Sequence, residues 1–289
     1  MMDGKIKSQD GMRPYLKWHG WLGLAIIAGS EVLLFYGVPF GRTFITPLAW
    51  TGYILFMDSL VYRNKGTSLI LKRPQELVLL LPLSIVFWLI FEFYNLYLEN
   101  WHYVGLPGEL LWRLFGYVWA FATIWPAILE TAEALEGWKG ISQRRMHPLK
   151  ITRGHLVVSF AFGVFCLGIP FIVSSSVAHY LAAFVWVGFI FLLDPWNYRA
   201  GRYSLFRDLE QGDPRGLCSL LLSGIICGFL WEFWNYWAEA KWHYTIPILG
   251  DIKIFEMPVL GYLGFPPFAV ECYVMYHFVK NVFLFHESS

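Results

Sequence analysis

Two segments of this chain carry the same chemically capable side chains. FEFYNLYLENWHY, residues 91–103, and WEFWNYWAEAKWHY, residues 231–244, each set a glutamate and an asparagine three residues apart, then follow them with Trp-His-Tyr. Glu92 and Asn95 share a helix face, as do Glu232 and Asn235, because residues three apart on a helix are neighbours. A carboxyl oriented by an amide and ringed by aromatic side chains can give a proton to an apolar molecule or take one away. Aromatic faces stabilise a passing cation by about 0.5–2 kcal/mol each. His102 and His243 offer one imidazole per segment, so a divalent metal is compatible with the pattern, and no other cofactor is expected. The plainer reading makes the Glu and Asn side chains helix glue and the Trp-His-Tyr triplets an interfacial aromatic belt.

Further acids repeat. Asp58 is matched by Asp194 and Glu130 by Glu271, each pair sitting in otherwise apolar sequence. A carboxylate costs about 2.5–3.5 kcal/mol or more at the centre of a lipid-spanning helix, so such acids are expected to face a bundle interior or a wet cavity. Depth divides them into two layers, Glu92 and Glu232 toward one end, Asp58 and Glu130 toward the other. Asp58 is followed by Tyr62 and Arg63, and Asp194 by Tyr198 and Arg199. The loops beyond, with Ser68 and Gly66 or Ser204 and Gly201, have the composition of a phosphate cradle, although arginines at a cytoplasmic helix end need no ligand to explain them. Glu31 has no counterpart in the second half, as a single proton donor would require.

These residues need elements to hold them. The chain has 289 residues, 57% hydrophobic and 15% charged, where soluble domains carry about 25% charged residues. Eight apolar windows, 18–37, 46–62, 76–98, 111–135, 155–175, 179–198, 216–239 and 257–279, approach the ~20 residues that cross a bilayer. Of the 22 lysines and arginines, eighteen fall on one set of alternate connecting segments and four on the other. That alternation predicts eight transmembrane helices with both termini cytoplasmic, in a cytoplasmic (inner) membrane. WTGYILFMDSLVYRNKGTSL (50–69) matches WVGFIFLLDPWNYRAGRYSL (186–205), and PAILE (126–130) matches PFAVE (267–271). The fold class is therefore all-α integral membrane, two parallel four-helix repeats. The divisions are a tail (1–17), repeat one (18–137), a basic linker (138–154), repeat two (155–280) and a second tail (281–289). The four cysteines lie in apolar sequence without metal-ligand spacing and are expected to be reduced and buried.

The order acid, about nine residues, Trp-x-Tyr, then Pro-x-x-x-Glu resembles the repeated lycopene cyclase domain, a family of small membrane proteins that cyclise polyene ends by acid catalysis. The resemblance rests on Glu92, Trp101, Tyr103 and Glu130, with Glu232, Trp242, Tyr244 and Glu271. It departs in carrying Pro-x-x-x-Glu for the family's Pro-x-Glu-Glu and four helices per unit for three. Fungal membrane terpene cyclases are similar in their Trp-Glu-Phe element.

Histidine boxes, an Asp-rich diphosphate motif and nucleotide-binding glycine loops are missing, and nothing points to nucleic acid. The leading expectation is a membrane enzyme acting on an isoprenoid, carotenoid or other apolar lipid by carboxylic acid–base chemistry, as a cyclase or isomerase. Glu92, Glu232 or Glu31 would be the acid, with Asn95 and Asn235 orienting it and Glu130 and Glu271 as further candidates. The alternatives are a parallel-repeat transporter coupled to protons or cations, and a membrane protein that binds a pigment, quinone or metal. Its partners would be membrane lipid and an apolar small molecule.

Overall fold

The computed structural model describes residues 15–201 and 203–283. Lys5, Lys7, Arg13 and Arg202, which contribute to the charge alternation, lie outside the described residues, as does most of each proposed tail. Long helices dominate: α1 Trp18–Phe35, α2 Pro39–Lys65, α3 Pro74–Leu98, α4 Leu110–Glu136, α5 Arg153–Gly168, α6 Ala182–Arg199, α7 Arg215–Trp237 and α8 Phe265–Phe283. Among the described residues, six helical segments are long and apolar enough to cross a membrane: α1, α2, α3, α4, α5 extended to Phe171, and α7. They identify a helical membrane protein.

Local chemistry sets several boundaries. α2 and α3 begin on Pro39 and Pro74, where the missing amide donor is no loss. Gly66 ends α2 in the left-handed region. Thr152 caps α5 in a reciprocal arrangement with His155. The last helix departs from expectation. The window 257–279 predicts a helix from residue 257, whereas 257–264 form a strand and a 3-10 turn and α8 starts at Phe265. Pro266 and Pro267 fit the first turn of a helix and would break a longer one.

Each half packs in the same order. α1 lies on α2, α2 on α4 and α3 on α4; likewise α5 lies on α6, α6 on α8 and α7 on α8. The halves meet where α7 packs on α4 and α2, and α8 on α4. A close approach within the second half depends on small residues. A Cβ on Gly224 would lie 2.4 Å from the Phe265 carbonyl oxygen, and one on Gly228 would lie 2.3 Å from the Phe265 ring. These glycines let α7 and the start of α8 touch backbone to backbone.

The all-α expectation needs one addition. Strand β1, Trp101–Val104, pairs antiparallel with β2, Lys241–Tyr244, placing Trp101 opposite Tyr244, His102 opposite His243 and Tyr103 opposite Trp242. A second short ladder joins β3, Lys253–Ile254, to β4, Met257–Pro258. Gly105, just past β1, has φ +64°, and a Cβ there would lie 2.0 Å from the Glu239 carbonyl oxygen, so the crossing of the two segments requires glycine.

Candidate functional site

Side chains alternate across a strand. The β1–β2 ladder therefore carries Trp101, Tyr103, Trp242 and Tyr244 on one face and the two histidines on the other. The aromatic face looks onto a cavity of about 510 Å³ whose wall includes all four of these residues. Trp50, Trp88, Trp186, Trp231 and Phe268 continue that wall. Phe268 meets Trp88, Trp186 and Trp231 edge-on, at centroid distances of 6.0, 5.1 and 6.2 Å. Cavities of this size and apolarity are typical of small-molecule sites.

The repeated acids stand behind the wall. Tyr103 donates from Oη to Glu92 Oε1 at 2.5 Å, and Tyr244 donates to Glu232 Oε1 at 2.7 Å. Glu92 Oε1 also accepts from the indole nitrogens of Trp88 at 2.8 Å and Trp101 at 3.2 Å. On the other side the Trp242 indole donates to the Tyr244 hydroxyl at 2.8 Å. Glu92 is half-buried and Glu232 fully buried, and Glu232 Oε2 has no hydrogen-bond partner among the described residues. Burial, followed by the adjacent carboxylates, pushes both tyrosine hydroxyls well above their ordinary range. Both therefore remain protonated donors at neutral pH. In the strand register they are diagonal neighbours, about 7–8 Å apart at the backbone.

The asparagines do not orient the acids as the i,i+3 spacing suggests. Asn95 donates to the Trp101 carbonyl and accepts from the amides of Asn100 and Trp101. Asn235 donates to the Trp242 carbonyl and accepts from its amide. Each asparagine stands in for a strand partner and holds its Trp-His-Tyr triplet to the helix end, so it positions the tyrosine. The triplets are therefore not an outward aromatic belt: their Trp and Tyr side chains point inward. His102 and His243 stack at 6.0 Å on the opposite face, and His243 Nδ1 lies 3.1 Å from Glu256 Oε2. Among the described residues no three His, Cys, Asp or Glu side chains group closely enough to hold a metal.

The remaining acids do not line the cavity. Asp58 accepts from the Ser68 hydroxyl and the Ile70 amide, both at 2.8 Å. Asp194 accepts from the Ser204 hydroxyl and the amides of Leu205 and Phe206. These loops cradle the carboxylates of their own helices, which uses the donors that the phosphate reading assigned to a ligand. Tyr62 is buried with the Lys17 ammonium 5.1 Å from its ring, Tyr198 donates to Glu210 at 2.7 Å, Arg63 bonds its neighbour Asn64, and Arg199 is exposed. Glu130 is fully buried beside Asp58, without a hydrogen bond that satisfies either oxygen. Glu271 accepts from the Phe189 amide at 3.0 Å. Glu31 accepts from the Trp234 indole at 3.0 Å, and so joins α1 to the second half. Of the cysteines, Cys166, Cys227 and Cys272 are buried and free, and Cys218 is only partly buried.

Two participants lie outside the repeated segments. His19 is fully buried with Nε2 2.9 Å from Asp58 Oδ2, without the angle of a hydrogen bond. Trp88 bonds Glu92, while Gly228 stands 140 residues further on. A histidine inside an apolar run was the available signal for the first; for the second it was an indole one helical turn ahead of Glu92, within the aromatic ring around that acid.

No known family matches this chain. Neither family models, curated proteins nor solved structures give a match.

Proposed function

We propose that this protein binds an apolar, isoprenoid-like lipid in the aromatic cavity and acts on it by acid–base chemistry. Supporting this reading is one observation above all: two tyrosines on the cavity wall, each with its hydroxyl hydrogen-bonded to a glutamate behind it. In either dyad a proton on the glutamate can pass to the tyrosine oxygen as the tyrosine passes its own to a substrate carbon. The other dyad runs the relay in reverse. One proton enters and one leaves, so substrate and product share a formula, as in double-bond isomerisation or cyclisation of a polyene. Aromatic walls would stabilise the cation formed between the two steps. The resemblance to the lycopene cyclase domain is compatible with this chemistry.

The proposed architecture is eight spans in two like-oriented repeats, with both termini in the cytoplasm of an inner-membrane protein. The identical packing order of the two halves and the alternation of basic segments support it. Such a scaffold brings the matched dyads to one cavity across the β1–β2 ladder.

Native mass spectrometry of the purified protein, with lipid extraction, tests the reading. A co-purified polyene or isoprenoid is expected, converted to an isomer on incubation without an ion gradient. Glu92→Gln and Glu232→Gln should stop the conversion while the lipid stays bound. Conversion unaffected by both changes would make the acids structural.

A further inference from the structure

The cavity wall is apolar apart from a few groups; its basic side chains are Arg113, His179 and Lys241, and no Asp or Glu is among the lining residues. Two of the three sit beside carboxylates. Lys241 Nζ lies 2.7 Å from Glu256 Oε1, and His179 Nε2 lies 3.3 Å from Glu99 Oε2. Arg113 differs. Its Nε donates to the Pro107 carbonyl at 3.1 Å and its Nη2 to the Gly108 carbonyl at 3.3 Å. No carboxylate lies within ion-pair distance of it among the described residues. Two neutral carbonyls fix the guanidinium and leave its charge uncompensated, with N–H donors to spare out of five. Arg113 stands on the first turn of α4, and the loop it holds follows directly on β1, so it sits at one end of the aromatic floor.

We propose that Arg113 receives the anionic head group, a carboxylate or a phosphate, of an amphiphile whose apolar chain fills the cavity. This rests on the lipid-binding reading above and narrows it from apolar lipids in general to single-chain anionic ones. A planar guanidinium pairs with either head group through parallel hydrogen bonds. At roughly 30 Å³ per heavy atom, the share of a water molecule in the liquid, the cavity accommodates about 17 atoms. That is the size of one medium-length chain, too small for two.

The test uses the full chain in detergent at about pH 8, where a fatty acid is ionised. Six tryptophans line the cavity, so bromine on a bound chain quenches their fluorescence. The probes are 11-bromoundecanoate and its methyl ester, short enough for that volume, with geranyl monophosphate, geraniol and inorganic phosphate as competitors. The acid should bind about tenfold tighter than the ester. Arg113→Gln should erase that preference and leave ester binding unchanged, which also reports that the variant is folded. Geranyl monophosphate should displace the bromoacid better than geraniol, and inorganic phosphate should not displace it; the stronger of the two anionic chains identifies the head group. Equal binding of acid and ester in the unaltered protein, as when Arg113 meets only bulk bilayer phosphate, overturns the inference and leaves the lipid site standing. A preference that survives Arg113→Gln does the same. If neither brominated chain quenches, the lipid-binding reading fails along with it.

Discussion

The Glu92 corner and the Glu232 corner are written in nearly the same residues and wired differently. Glu92 is half-buried and collects Trp88, Trp101 and Tyr103 on one oxygen. Glu232 is fully buried and takes Tyr244, whose hydroxyl in turn occupies the Trp242 indole. Part of the difference traces to one position. Trp88 supplies an indole donor where the second half has Gly228, and the space that glycine leaves is taken by the Phe265 ring. A duplicated scaffold can thus give its two acids unequal surroundings without changing either acid, by altering what fills one neighbouring volume.

That contrast gives a ranked set of expectations. The largest effect belongs to Trp88→Ala, which removes a donor and opens a void; a loss of about 3 kcal/mol is expected in thermal or denaturant unfolding. The reciprocal change, Gly228→Ala, should cost about 1–2 kcal/mol by forcing the Phe265 ring aside. If the glycine change proves the costlier of the two, the volume argument is wrong.

Next comes Asn235→Ala, expected to lose about 2 kcal/mol, because it strands the amide and carbonyl of Trp242 against a fully buried side chain. Asn95→Ala should lose somewhat less, its site being half-buried and nearer water. Equal losses would show that burial does not separate the two corners.

The tyrosines should differ more modestly. Tyr244→Phe leaves both the Trp242 indole and Glu232 short of a partner, and about 1–2 kcal/mol is expected. Tyr103→Phe should cost under about 1 kcal/mol, since Glu92 keeps two indole donors. Matching unfolding midpoints for the two variants would contradict the wiring described.

The smallest effect lies in the connection between α6 and α7, where Asp208, on the short helix Leu205–Glu210, stands in place of Lys72, 136 residues earlier. Burial, then Asp213, Asp194 and Glu136, raises its carboxyl to about 6 from an ordinary 3.8. The folded value exceeds the unfolded one, so the folded state holds the proton more tightly between about pH 4 and 6. Stability falls as pH rises through that window, and the cost is complete above it. Asp208→Asn should raise stability by up to about 1 kcal/mol at pH 8, after allowance for solvent screening, and change nothing at pH 4. A gain that persists at pH 4 would place the effect in packing.

Much of this was readable before the structure. Six of the eight apolar windows fall on described helical segments long and apolar enough to cross a membrane, because lipid-length hydrophobicity is a strong local signal. Glu92 and Glu232 were legible as a pair through the repetition of their surroundings. The role of Asn95 and Asn235 was not: an i,i+3 spacing places two side chains on one face, yet the amide is drawn to the unpaired backbone just beyond the helix end. The β1–β2 ladder was also hidden. Four residues are too few for a strand period to show, and the partner lies about 140 residues away. The phosphate reading of the Ser68 and Ser204 loops failed for a related reason, since composition does not reveal that Asp58 and Asp194 reach those donors first.

The ladder between Trp101–Val104 and Lys241–Tyr244 also bears on how the molecule is made. During synthesis the earlier strand emerges long before its mate and waits with its hydrogen-bonding edge open. Closure of the chamber therefore belongs to the last stage of biogenesis. A truncated product ending ahead of Lys241 would contain every first-half group and still lack a floor.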